Sequence, residues 1–198
     1  MHLRMKSLPL TQGDISTFQE KEEQQEVFAK LLVFAQQAEA IESVEKAKEM
    51  VKGLNLPKSW LKKYITFKPA PAKYSHHPIF WTPVIEVSGF GWESGQESDA
   101  HTHTNLYKNG FSTAVIKILE GTGVNQIFQQ VGESELGEKL IVGCQAQELK
   151  TGEIAIVHPG EIHVFGNKSD SPLVTLHTYY PPLGNLTADE RPKYRIVG

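Results

Sequence analysis

Two histidines separated by a single residue, His101 and His103, are the pair in this sequence best suited to metal chemistry. In a β-strand, residues two apart point to the same face, so both imidazoles can converge on one point. Imidazole nitrogens bind zinc, copper, iron and nickel well. A third ligand from another strand would complete a metal site. Taken alone, the pair is equally compatible with a surface or core role.

A second polar line runs through Thr175, His177 and Tyr179, which alternate along the apolar run 173–180. If this run is a strand, the three side chains share one face. Buried polar side chains in a sheet usually satisfy one another, so an ordinary structural role is open at this point. Histidines are concentrated in this part of the chain, because seven of the eight lie between His76 and His177.

The surroundings of the histidine pair resemble the two-part signature of the cupins, which are small β-barrels that hold a metal inside the barrel. The matching positions are Gly95 six residues before His101, Gly121 at the end of the first part, and Pro159, Gly160, His163 and Asn167 in the second. This resemblance implies a cupin-type, RmlC-like jelly-roll barrel. It also implies that His101, His103 and His163 are the metal ligands.

The sequence departs from the cupin pattern at Ala114. Cupins commonly carry a glutamate ligand seven residues before the glycine matched by Gly121, and that position is Ala114 here. The inferred site therefore has three neutral imidazoles, and a divalent metal in it would keep close to its full charge. We expect an anionic substrate such as a thiolate, enolate or carboxylate. Composition does not choose between iron and zinc.

Together, the histidine pair and the Thr175–Tyr179 line resemble the cysteine dioxygenase family, the iron(II) thiol dioxygenases of the cupin superfamily. Further matches are Trp92 nine residues before His101, the segment 114–121, and Pro57, Trp60, Tyr64, Phe67 and Tyr74 in the first part of the chain. The resemblance implies one Fe(2+) per chain and oxidation of a small thiol by O2 to a sulfinate. It implies that Tyr179, positioned by His177 and Thr175, contacts bound oxygen or the polar end of the substrate.

The substrate pocket is implied at Tyr74 and His76. The family places a substrate-binding arginine two residues after the tyrosine matched by Tyr74, and that position is His76. An imidazole does not reproduce the two-point fork that a guanidinium offers to a carboxylate. Three alternatives stay open: His76 or His77 makes a weaker contact, Arg191 reaches in from the tail, or the substrate lacks a carboxylate.

The elements that must position these residues change in character near residue 70. Residues 1–70 are predicted to form a helical layer and residues 71–198 the β-barrel. We expect a helix starting at the capping box Thr17–Glu20, with an apolar stripe of Val27, Leu31, Phe34, Ala35 and Ala38 widened by Phe28 and Leu32. A second helix is expected over 41–52 and a third after Pro57. Strands are expected over 79–92, 111–119, 124–131, 139–149, 153–158 and 173–180.

Composition excludes several classes of protein. Of the 198 residues, 39% are hydrophobic and 22% charged, which argues against a disordered chain. The formal net charge of −3 gives no reason to expect nucleic acid or a membrane as partner. Cys144 is the single cysteine, and the basic start Met1–Lys6 is not followed by an apolar stretch of signal-peptide length. We expect a cytoplasmic protein that is a monomer or a weak homo-oligomer.

Alternative functions remain open from sequence. A three-histidine cupin could act on a different anion, for example by cleaving a β-diketone through its enolate. A non-catalytic cupin could bind a small ligand or effector. A zinc hydrolase would need a general base, for which Glu161 is near in sequence.

Overall fold

Three helices precede eleven strands in the computed structural model of the chain, which describes residues 18–41, 43–105, 110–183 and 192–197. The helices are α1 (Phe18–Ala38), α2 (Val44–Gly53) and α3 (Lys58–Tyr64). The strands are β1 (Ser75–Trp81), β2 (Glu86–Trp92), β3 (Thr104–Asn105), β4 (Gly110–Phe111), β5 (Thr113–Glu120), β6 (Thr122–Glu133), β7 (Lys139–Lys150), β8 (Ile154–Val157), β9 (Ile162–Gly166), β10 (Leu173–Tyr180) and β11 (Tyr194–Ile196).

The longer strands form two sheets. Sheet A has the order β1-β2-β10-β5-β8 and sheet B the order β11-β7-β6-β9. All neighbouring strands are antiparallel except β11 and β7. Apart from β1 and β2, the strands adjacent in sheet A are distant in sequence, as in the double-sheet jelly roll. The predicted fold, mainly β with N-terminal helices and a cupin-type jelly-roll barrel, is confirmed.

Sheet A is buried on both faces, and the residues of β10 point alternately into the barrel and towards the helices. Leu173 and Tyr179 belong to the apolar cluster inside the barrel, together with Phe90, Trp92, Ala114, Ile116, Ile118 and Phe165. Leu176 faces the other way and joins the cluster formed with the helices. This alternation is the period of two expected of a strand. It places Thr175 and His177 in phase with Tyr179, on the barrel side.

The helical layer covers the outer face of sheet A. The predicted stripe of α1 is buried at Val27, Leu31, Phe34, Ala35 and Ala38. The prediction that Phe28 widens this stripe is wrong, because the Phe28 side chain is 44% exposed. Helix α2 starts later than expected, since Ser43 is its N-cap and accepts the Lys46 N–H. The predicted capping box begins at Thr17, which lies outside the described residues. The division of the chain into two parts at residue 70 stays a prediction.

A buried lysine joins the helical layer to the barrel. Lys117, on the outer face of β5, is only 7% exposed. Its Nζ donates to the carbonyl oxygens of Lys52 at 2.9 Å and Leu54 at 3.0 Å, and to Oδ1 of Asn55 at 3.1 Å. These acceptors lie at the C-terminal end of α2, where carbonyls lack helical partners and a cation is favoured. Burial lowers the pKa of Lys117.

Two strand predictions need correction. The strand expected over 79–92 is two strands, because a turn at Thr82–Ile85 separates β1 from β2; Thr82 Oγ1 accepts the N–H groups of Val84 and Ile85 there. Strand β9, which carries His163, was not predicted. All five of its residues are buried, so it shows no alternation between apolar and polar positions. Within the described residues, no helix combines the length and apolar character needed to cross a bilayer.

Candidate metal centre

The main chains of His101 and His163 are paired. The His101 N–H donates to the His163 carbonyl at 3.0 Å, and the His163 N–H donates to the His101 carbonyl at 2.9 Å. This bridge is isolated, and regular strand structure resumes only at Thr104. The assumption that His101 and His103 lie in one continuous strand is therefore wrong, because the segment after β2 reaches across to pair with β9 of sheet B. The two imidazoles nevertheless meet.

The imidazoles of His101, His103 and His163 form one cluster. One ring nitrogen from each lies within 4.8 Å of the others, and this is the only such group of histidine, cysteine or acidic residues in the described part of the chain. Nε2 of His103 is 3.2 Å from Nε2 of His163. Metal–nitrogen bonds of about 2.1 Å place neighbouring ligand nitrogens roughly 3.0–3.4 Å apart. The separation between His103 and His163 therefore matches that of two ligands of one ion, and the group as a whole can hold a metal ion.

Burial keeps the inner two imidazoles neutral. His103 is 4% exposed and His163 1%, whereas His101 is half-buried. Desolvation, followed by the charge of His101, lowers the pKa of both His103 and His163 well below 6.5. The neutral imidazole has the lone pair that a metal requires.

Hydrogen bonds orient two of the three candidate ligands. Nδ1 of His101 lies 2.8 Å from the Asp99 carbonyl, and Nδ1 of His163 lies 2.8 Å from Oδ1 of Asn125. Both partners are acceptors, so Nδ1 carries the proton and Nε2 keeps its lone pair. Nδ1 of His103 is buried with no hydrogen-bond partner among the described residues. Asn125 was not predicted from sequence, because it is one of four polar residues in the strand expected over 124–131 and nothing in that segment distinguishes it.

Local backbone geometry delivers His163 to the cluster. Gly160 has a φ of 81°, a left-handed conformation that residues with a Cβ adopt at a cost, and it lies in the turn between β8 and β9. The Glu161 carboxylate accepts the His158 N–H at 2.7 Å and closes this turn. Glu161, the residue considered as a base for a hydrolase, is thus engaged in a local structural contact.

Ala114 lies on the barrel side of β5, opposite Tyr179. It is fully buried and is the register partner of Tyr179 on β10 and of Val157 on β8. Its methyl group contributes no ligand atom. The position where cupins commonly have a glutamate therefore adds no negative charge here.

A hydrogen-bonded line runs along the inner face of β10 towards the cluster. The Trp92 indole N–H donates to Oγ1 of Thr175 at 2.9 Å, and Oγ1 of Thr175 lies 2.9 Å from Nε2 of His177. Nδ1 of His177 lies 3.2 Å from the Tyr179 hydroxyl. The Tyr179 ring meets the His103 ring edge-on, with centroids 5.1 Å apart. The line therefore ends directly beside a candidate ligand.

The electrostatic surroundings keep this line neutral. Burial raises the pKa of Tyr179 well above 10, and the negative charge of Glu86 adds to the effect. Burial, with smaller effects of His76 and His101, lowers the pKa of His177 well below 6.5. Tyr179 thus keeps its proton and can donate a hydrogen bond.

The two histidines at the expected substrate position face different ways. The exposed His76 ring stacks on Phe90, with centroids 4.7 Å apart, and its Nε2 is 3.1 Å from Oγ of Ser88. His77 contacts Thr66 on the opposite side of β1. His76, and not His77, therefore lies on the side of Phe90 and the barrel interior. Arg191 lies outside the described residues.

The tyrosine expected in the pocket, Tyr74, is half-buried. It packs against Trp92 at a centroid distance of 4.8 Å and against Phe90 at 5.5 Å. This aromatic group continues to His177, whose ring centroid is 4.2 Å from that of Phe90. The residues predicted around substrate and those of the Thr175–Tyr179 line therefore share one aromatic wall.

A carboxylate near this wall was not predicted from sequence. Glu86 on β2 is the register partner of Tyr179, and Ser88 is that of His177. The Glu86 carboxylate accepts the Leu183 N–H at 3.2 Å and the Ser88 hydroxyl at 3.4 Å. Burial raises its pKa. The signal was its spacing in steps of two from Ser88, Phe90 and Trp92, all of which lie within the strand expected over 79–92.

No family model matches the sequence. Solved structures with a similar fold include three that illustrate the range. A Klebsiella pneumoniae protein described as having a double-stranded β-helix domain is 20% identical, and the match covers 64% of this chain and 90% of that one, with a TM-score of 0.44. A Thermus thermophilus protein is 22% identical, and the match covers 61% of this chain and 93% of that one, with a TM-score of 0.47. An RmlC-like cupin family protein from Methanocaldococcus jannaschii is 13% identical, and the match covers 59% of this chain and 89% of that one, with a TM-score of 0.41.

The topology and the site together define a protein of cupin fold with a three-histidine group that can hold a metal ion.

Proposed function

We propose that this chain is a mononuclear iron(II) thiol dioxygenase that converts a small thiol into a sulfinate. The observation that carries the proposal is the contact between the rings of His103 and Tyr179, 5.1 Å apart. It joins the three-histidine cluster to the Thr175–His177–Tyr179 line, the two features on which the resemblance to the cysteine dioxygenases rests. Each feature alone is compatible with an ordinary structural role, but their direct contact inside one barrel is what a thiol dioxygenase needs.

The charge of the cluster favours a thiolate. Its three candidate ligands are neutral imidazoles, and Ala114 supplies no carboxylate at the position where cupins commonly have a glutamate ligand. A ferrous ion held there would supply a Lewis-acidic, redox-active centre for an anionic sulfur and for dioxygen. In the overall reaction, R–S⁻ and O2 give R–SO2⁻. Both oxygen atoms form bonds to sulfur, which loses the four electrons that O2 gains.

The protein's own residues hold and orient the reactants. The Asp99 carbonyl and the Asn125 side chain fix the rings of His101 and His163. Tyr179 keeps its proton and donates a hydrogen bond to oxygen or to the polar end of the substrate. His177 and Thr175 fix the phenol, and the Trp92 indole anchors the far end of the line. Since all of the groups in this line are buried, water competes little for the phenol proton.

An oxygen electrode combined with sulfinate quantification tests the proposal. Iron-loaded protein should consume one O2 for each sulfinate formed from a small thiol. His101→Ala should abolish this turnover, whereas His158→Ala, which changes an exposed histidine outside the cluster, should retain it. Iron-loaded protein that is inert towards a panel of small thiols, or that cleaves a β-diketone but oxidises no thiol, would overturn the proposal.

A further inference from the structure

Glu86 places a carboxylate on the barrel side of sheet A. Its register partner on β10 is Tyr179, and directly opposed residues of neighbouring strands point to the same face. Tyr179 itself contacts the candidate ligand His103. The Glu86 side chain therefore lies on the same face of sheet A as Tyr179, the face that looks into the barrel towards the histidine cluster, and it is one strand further along the sheet than the tyrosine.

The Glu86 carboxylate is fixed in place and lacks a counter-ion among the described residues. Its two oxygens accept hydrogen bonds from the Leu183 N–H and the Ser88 hydroxyl. No lysine or arginine of the described ranges forms an ion pair with it. Partial burial of an unpaired carboxylate costs free energy, which a cationic ligand would recover.

The described cations near the barrel are committed elsewhere. Lys117 is on the outer face of β5 and donates to the end of α2. Arg195 on β11 is 3.7 Å from Glu138, and Lys73 pairs with Asp99. Where the cysteine dioxygenases are expected to have an arginine, His76 stacks on Phe90 beside Ser88. Among the described residues, the surroundings of Glu86 on the barrel side of sheet A thus offer the negative charge of its carboxylate and no lysine or arginine to pair with it.

We infer that Glu86 binds the ammonium group of the substrate, which is an aminothiol without a carboxylate. This inference rests on the proposed thiol oxidation. Thiolate sulfur at the three histidines and ammonium at Glu86 place the two ends of a short substrate on either side of Tyr179. A carboxylate on the same substrate would be repelled by Glu86 and would find no guanidinium in the described part of the pocket.

Steady-state kinetics with three short thiols of different charge test this inference. The substrates are 2-aminoethanethiol, 2-mercaptoethanol and 3-mercaptopropionate, which carry a cation, no charge and an anion at the end remote from sulfur. The iron-loaded protein should show the highest kcat/KM for the aminothiol, roughly tenfold to a hundredfold above the neutral thiol, as expected for a charge-assisted hydrogen bond. Glu86→Gln should lower the ratio of these two values by at least about tenfold. Glu120→Gln, an exposed carboxylate of the same sheet, should leave the ratio unchanged.

Anaerobic calorimetry of the iron-loaded protein separates this inference from the proposed function. Aminothiol binding that weakens in Glu86→Gln, without any oxygen consumption in air, would support the ammonium site and overturn the dioxygenase. Thiol oxidation with a preference for 3-mercaptopropionate, or with a ratio insensitive to Glu86→Gln, would overturn the ammonium site and leave the dioxygenase standing. If Glu86→Gln does not fold, the ranking of the three thiols by the unaltered protein decides the question.

Discussion

Nε2 of His103 and Nε2 of His163 face each other at 3.2 Å, although 60 residues separate them in the chain. Because Nδ1 of His163 donates to Asn125, its Nε2 has a lone pair directed at His103. Two such nitrogens remain this close only with a proton or a cation between them. The contact is therefore the place where the candidate metal site comes closest to the geometry of two ligands that share one ion.

Removal of one of these ligands should abolish metal retention. We expect His163→Ala to lose the ferrous ion that the unaltered protein retains after anaerobic loading and desalting, because two nitrogens remain where three are needed. His158→Ala is the matched control and should retain the metal. Metal analysis by mass spectrometry gives the stoichiometry, and a His163→Ala protein that still binds one ion would contradict this site.

The orientation of His163 should depend on Asn125. Asn125→Leu removes the acceptor for Nδ1–H, and we expect metal affinity to fall about 10–100-fold, as for other partners of ligating histidines. Asn125→Asp keeps an acceptor and should retain tight binding. Competition with a chelator of known affinity measures both values. Equal affinities for the leucine and aspartate variants would show that this hydrogen bond does not matter.

The hydroxyl of Thr175 should be needed for both stability and turnover. Thr175→Val leaves the Trp92 N–H and Nε2 of His177 without their buried partner, which should cost about 1–3 kcal/mol of unfolding free energy. Turnover should fall because His177 then holds Tyr179 less firmly. Thr175→Ser retains the hydroxyl and should preserve most of both. Urea unfolding and oxygen uptake provide the two readouts, and a fully active, stable valine variant would exclude this role.

The anchoring lysine should stabilise the protein without affecting the metal. Lys117→Met leaves several carbonyl acceptors at the end of α2 without their cation, and we expect a loss of about 2–3 kcal/mol in unfolding free energy. Lys62→Met, at an exposed lysine 3.9 Å from Glu120, should change stability by less than about 0.5 kcal/mol. Urea unfolding compares the two variants, and metal content should match the unaltered protein in both.

Glu86 should make stability depend on pH in a defined direction. Burial raises the pKa of Glu86 in the folded protein above the ordinary value of 4.5, so folding favours the protonated carboxyl. The resulting penalty is absent below pH 4.5 and develops as pH rises through the folded-state pKa. At pH 7, Glu86→Gln should therefore be more stable than the unaltered protein, and the difference should vanish near pH 4. A difference that is constant with pH in urea unfolding would contradict this.

The parts of the site that were predicted from sequence depend on local spacing. The line Thr175, His177 and Tyr179 was placed on one face because β10 is a regular strand, and alternation is sufficient within one strand. His101, His103 and His163 were found from motif spacing, although the structure of their segments was not foreseen. Motif spacing can identify the residues of a site even when the backbone conformation of the segments that carry them is not predicted.

The parts that were missed depend on register between strands. Asn125 contacts His163 from β6, and Glu86 opposes Tyr179 from β2. Neither relationship is encoded within one strand, because a shift of a single residue in pairing would send either side chain to the opposite face. The pairings of β2 with β10 and of β6 with β9 join segments far apart in the chain, and apolar patterning along one strand does not specify their register.

The paired main chains of His101 and His163 have a consequence for metal exchange. Two reciprocal amide hydrogen bonds hold these ligands together through the backbone, independently of any ion. Removal of the ion by a chelator should therefore leave the two histidines as neighbours, and reconstitution should not require refolding. We expect that an ion in this site can be removed and replaced by cobalt, nickel or manganese, which would allow the site to be studied by spectroscopy.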